Sequence, residues 1–111
     1  MVTLFADPAN KGFQRIAAEY KKAVGQDPNE MLLPCYDGVS VLFRAIQKAG
    51  DINDTTKIAA AFAQALPMES IQGDDLTLGG KAVFGADRQI MTTMYVGAIR
   101  NGEPVVLGKV K

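Results

Sequence analysis

The spacing of apolar residues changes near Ser70, and that change most limits what this chain folds into. Before it, apolar residues recur every three or four positions: Phe13, Ile16, Ala17, Tyr20 and Val24, then Val39, Leu42, Phe43 and Ile46, then Ile58, Phe62, Ala65 and Leu66. A period near 3.6 places each set on one face of a helix. After Ser70 glycine becomes frequent and the period falls towards two, the spacing of a strand with one buried face. Three helices followed by short strands predict an α+β chain.

Local punctuation sets the expected limits of these elements. Asp7-Pro8 predicts the start of the first helix, because the carboxylate caps free N–H groups and proline loses no hydrogen bond in a first turn. Gly25 ends it, and GQDPNE reads as a turn. The second helix is expected from near Tyr36 to Ala49, with Gly50 as a left-handed cap and Leu32 and Leu33 as a buried approach or strand end. The third follows DIND, with Asn53 or Asp54 as its cap and Pro67 as its stop. Gly73 to Leu78 predicts a short strand and Gly79-Gly80 a turn. Met91 to Ile99 and Val105 to Val110 flank Asn101-Gly102, a hairpin signal because both residues tolerate positive φ. Residues 1–111 thus read as a single domain or a piece of a larger one, mainly helical over 1–69 and mainly strand over 70–111.

Composition narrows the function. Twelve Lys and Arg balance 12 Asp and Glu, so there is no basic excess to hold a phosphate backbone, and nucleic acid is not an expected partner. The absence of histidine and the single cysteine, Cys35, remove a histidine triad, an internal disulfide and a multi-thiolate zinc site. Gly80-Lys81 is followed by alanine, which breaks the phosphate-loop pattern, and neither GQDPNE nor DIND supplies a calcium loop. Asp74-Asp75 would point to opposite faces of a strand, which suits a polar turn better than an acid/base pair. No enzyme activity, metal or cofactor is expected. No stretch approaches the ~18 or more consecutive apolar residues of a membrane span, and MVTLFADP lacks the features of a signal peptide.

The series DPANKGFQRIAAEYKKAVGQDPN, CYDGVSVLFRAIQKAGD, a further helix, a glycine-containing strand and a hairpin bearing IRNGEPVVL resembles the C-terminal part of the periplasmic branched-chain amino-acid-binding proteins. These are solute receptors of ABC importers. The resemblance covers nearly the whole chain but only about the last third of such a receptor. It implies part of an α/β, type I periplasmic-binding-protein fold, in which two lobes close on a small ligand. It also implies non-covalent capture of an amino acid or related carboxylate, importer membrane subunits as partners of a full-length parent, and a periplasmic location for that parent. The family's secretion signal and ligand-binding first half have no counterpart in this sequence. GDDLTLGGKAVFGADRQ departs from the family's Gly, strand, Phe-Asp and Gly-turn pattern, so no functional residues are carried onto it. Some relatives carry an aromatic near the position of Met31.

Against that background the stretch LPCYDG supplies the candidate ligand-binding residues, Cys35, Tyr36 and Asp37. One reading places them at a cleft-facing helix start, where free N–H groups favour a polar ligand and Tyr36 offers a ring wall. The other makes Asp37 a helix cap, Tyr36 a packing residue and Pro34 a device that fixes the approach. Nothing adjacent to Cys35 creates a thiolate, so it is expected to be a small buried hydrophobe. A chain cut from two-lobed surroundings exposes apolar faces, which predicts a homodimer or larger assembly. The alternative function is an autonomous, self-associating structural or interaction module without transport activity.

Overall fold

The computed structural model describes residues 2–4, 6–86 and 88–110. The ends of the predicted 1–111 domain, Met1 and Lys111, lie outside the described residues.

Helix α1 spans Lys11–Val24 and starts later than Asp7-Pro8 predicts. Asp7 spends its carboxylate on the preceding turn, accepting from the Ala9 N–H at 2.9 Å, and Asn10 caps the helix by accepting from the Phe13 N–H at 3.0 Å. Ile16 is the buried residue of its apolar face.

Helix α2 spans Leu32–Ala49, so it begins earlier than the sequence suggests and takes in Leu32 and Leu33. Asn29 sets that start: its side-chain oxygen accepts from the Met31 N–H at 3.1 Å and its carbonyl from the Leu32 N–H at 3.2 Å. Pro34 falls in the first turn, where its missing N–H removes no helical bond. Asp37 therefore lies inside the helix and does not cap it.

The buried side of α2 is also not the predicted one. Leu33, Asp37, Val41 and Ala45 face inward, while Val39, Leu42 and Phe43 are exposed, Phe43 by 62%. Val39 and Phe43 lie nearly opposite Val41 around the helix, so α2 is apolar on two sides, and among the described residues only the Val41 side is buried. A helix apolar all round belongs in the interior of a larger body.

Helix α3 spans Thr55–Ala65 and is capped by Asp54, which accepts from the Lys57 N–H at 3.1 Å. It lies against α2, and Val41, Ala45, Ala61, Ala65, Leu66 and Leu76 form one core cluster. A second cluster joins Ala6, Ile16, Leu33 and Ile71, with Phe13, Leu32 and Tyr36 packed against it.

The strands form two antiparallel sheets. β1 (Val2–Leu4), β4 (Met94–Arg100) and β5 (Glu103–Val110) lie in the order β1-β4-β5, with Val2 opposite Gly97. The turn between β4 and β5 is Asn101-Gly102 as expected, with φ of 52° and 80°. Two successive left-handed residues give the turn a twist that matches the strands. β2 (Thr77–Gly79) pairs with β3 (Gln89–Met91), and the short helix α4 (Lys81–Phe84) lies between them where only a glycine turn is predicted. The expected strand from Gly73 is shorter than predicted: Gly73 to Asp75 are irregular, and Leu76 makes an isolated antiparallel bridge with Met68.

The result is a slab measuring 51 × 37 × 17 Å with a Cα radius of gyration of 15.8 Å. A compact chain of this length has a radius near ~13 Å, so much of the apolar surface lies outside the two clusters.

Candidate functional site

The most constrained polar group in the described structure is the Asp37 carboxylate. The four-residue spacing of Leu33, Asp37, Val41 and Ala45 carries it to the buried face of α2, where it is 3% exposed. A buried carboxylate must be hydrogen-bonded to be tolerated. The segment following α3 supplies the donors. The Ser70 hydroxyl donates to Oδ2 at 2.5 Å, the Gln72 amide donates to Oδ2 at 2.9 Å, and the Ile71 N–H donates to Oδ1 at 3.2 Å. Ser70 Oγ in turn accepts from the Gln72 N–H at 2.9 Å. Ser70 and Gln72 are themselves buried, so the four residues form a closed network in which each member orients the next.

This network borders a crevice of about 310 Å³ between the first half of α2 and strand β3. Pro34, Asp37 and Gly38 line it together with Gln72, Gln89 and Thr92. A Cβ on Gly38 would meet no atom within 4 Å, so the missing side chain leaves the mouth open. Tyr36 points elsewhere, packing half-buried against the Ala6, Ile16, Leu33 and Ile71 cluster. Cys35 is exposed, contrary to its expected burial. It lies one helical turn before Val39, on the uncovered side of α2. The structure thus brings Asp37 to the crevice and separates it from Cys35 and Tyr36. Sequence reasoning missed Ser70 and Gln72. The available signal was Asp37 itself, a carboxylate at the spacing of a buried row that required donors from elsewhere.

Beyond the crevice, Asp74 is tied down from both sides. Its N–H donates to Thr93 Oγ1 at 3.0 Å, and Lys109 near the end of β5 donates to both its carboxylate oxygens at 2.8 Å. Bonding to Asp74 raises the Lys109 ammonium above its ordinary value. Burial, followed by the charges of Asp7 and Asp74, raises the Tyr95 hydroxyl as well. Gly73 permits this approach: a Cβ there would collide with the Tyr95 hydroxyl and lie 2.8 Å from Thr93 Cβ. Three or more His, Cys, Asp or Glu side chains do not converge as a metal site among the described residues.

The sequence profile of the family described as periplasmic binding protein matches residues 1–104. The chain belongs to that family. Its fold also matches a crystal structure of the leucine binding protein LivK from Thermotoga maritima, with a TM-score of 0.71 and 21% sequence identity. The match covers 97% of this periplasmic binding protein chain and 29% of the LivK chain. No curated protein matches the sequence. The expected fold class is borne out, a mixed helix-and-strand portion of a periplasmic-binding-protein fold. The family is one of binding proteins, and no helix among the described residues is long and apolar enough to cross a membrane.

Proposed function

We propose that this chain is the solute-binding portion of an ABC-importer receptor that holds a small amino acid or related carboxylate without covalent chemistry. The observation that carries the reading is the family match over residues 1–104. A full-length parent is periplasmic in this reading, delivers its ligand to the importer's membrane subunits and catalyses no reaction. Of Cys35, Tyr36 and Asp37, proposed as ligand-side residues of a full-length parent, Asp37 acts through the crevice it borders with Gln72, and Cys35 and Tyr36 act from outside that crevice. Closure follows from ligand contacts that are stronger in the closed state than in the open one.

Thermal unfolding with a panel of aliphatic and aromatic amino acids and related carboxylates tests this. A ligand at a hundredfold excess over its dissociation constant adds about 2.7 kcal/mol, a shift of several degrees for a chain of this size. A selective shift is the expected result, and Tyr36→Ala in a full-length parent should weaken it while leaving the parent folded. A parent whose midpoint no member of the panel moves would overturn the reading.

The exposed side of α2 favours a second reading, a self-associating module without transport activity. Val39, Leu42 and Phe43 form a contiguous apolar strip that water disfavours, and a second copy covers it by symmetric pairing. Light scattering is expected to give a dimer or larger species that Phe43→Glu dissociates. A clean monomer at high concentration would sink this reading.

A further inference from the structure

A second hollow lies away from Asp37, between the outer face of α3 and the β2–β3 hairpin. Its floor is Ala59, Ala60 and Ala63, whose methyl groups leave the space empty, and Phe62 closes one side. Leu78 and Ile90 make the far wall. They are cross-strand partners, so the hairpin register holds both side chains at the same level. Arg88, just before β3, is the charged residue on its lining, and it makes no ion pair among the described residues.

We propose that this hollow binds a small monocarboxylate with an apolar tail, the carboxylate on the Arg88 guanidinium and the tail over the α3 alanines. The chemistry selects that class. An apolar cavity beside one guanidinium favours an anion, because the planar fork donates two parallel hydrogen bonds to a carboxylate and the adjoining apolar wall reduces competition from water. A neutral apolar molecule gains only the burial and leaves the guanidinium unanswered. An α-amino acid would also bring an ammonium to a lining whose described side chains include no acceptor for it, so the ligand class differs from that proposed for the receptor cleft. The cavity is about 270 Å³. That is below the ~300–1,000 Å³ of drug-sized ligand pockets, which limits the tail to about four to eight carbons.

Titration of the ¹⁵N-labelled chain with hexanoate, followed by amide chemical shifts, tests the site. Saturable shifts are expected at Ala59 to Ala63, Leu78 and Ile90, with leucine failing to compete. Arg88→Gln, at an exposed position, should weaken hexanoate about tenfold and leave 1-hexanol binding unchanged. Ala63→Leu, also exposed, should fill the hollow and abolish both. Failure of hexanoate to saturate, equal affinity for the Arg88→Gln chain, or shifts confined to the Asp37 crevice would each overturn the proposal.

Discussion

Asp37→Ala is expected to destabilise the fold by about 3–5 kcal/mol, because it strands three donors at once. Each buried donor left without an acceptor costs roughly 1–3 kcal/mol. The Ser70 hydroxyl, the Ile71 N–H and the Gln72 amide all lose their partner in the interior. Asp37→Asn keeps the shape but turns one acceptor into a donor facing donors, so it too should cost more than about 1 kcal/mol. Urea unfolding of the two variants measures this. Adding Ser70→Ala to Asp37→Ala should cost less than the sum of the single changes, since the hydroxyl has already lost its acceptor. A loss below about 1 kcal/mol for Asp37→Ala would show that the network does not hold the segment. The same experiment bears on the ligand role proposed for Asp37: a carboxylate committed to three internal donors acts on a ligand mainly by fixing Gln72 at the crevice wall.

Leu76→Ala should have a comparable effect by a different mechanism. Leu76 is fully buried among Val41, Ala45, Ala61, Ala65 and Leu66. Truncation removes the transfer free energy of the lost carbons and leaves a cavity, together about 3 kcal/mol and up to about 5. Its backbone is held by the bridge to Met68, with N–H to carbonyl distances of 3.1 and 2.7 Å, so the site has little freedom to collapse around the void. A fall in the unfolding midpoint of more than about 10 °C is expected. A change of only about 1–2 °C would mean that the α2–α3 core is loosely packed at this point.

What could be read in advance depended on distance along the chain. The Asn101-Gly102 turn and the α3 cap, narrowed to Asn53 or Asp54, were legible because the residues that create them adjoin the elements they shape. The start of α1 was misplaced since Asp7 and Asn10 are both competent caps, and the carboxylate of Asp7 bonds first to Ala9. The donors to Asp37 could not be found by spacing, for they lie 33 to 35 residues away. The orientation of α2 was hidden for another reason. Its sequence carries apolar residues on two opposite sides, and periodicity reports that both exist without saying which one the available partners cover. β1 escaped notice because three residues are too short to show a period.

The position of β1 also bears on the order in which the chain can fold. Helices α2 and α3 are neighbours in sequence and can associate within microseconds once both have left the ribosome. β1 precedes both helices in the chain, yet its partner β4 begins only at Met94. At roughly 5–20 residues per second, translation separates the completed helical pair from the arrival of β4 by an interval on the order of seconds. Throughout that interval the edge of β1 that β4 will cover is unpaired, in a form able to pair with a neighbouring nascent chain. Pairing of β1 with β4 is therefore the contact of longest sequence separation among the described strands, and the loop it closes carries the largest entropic cost.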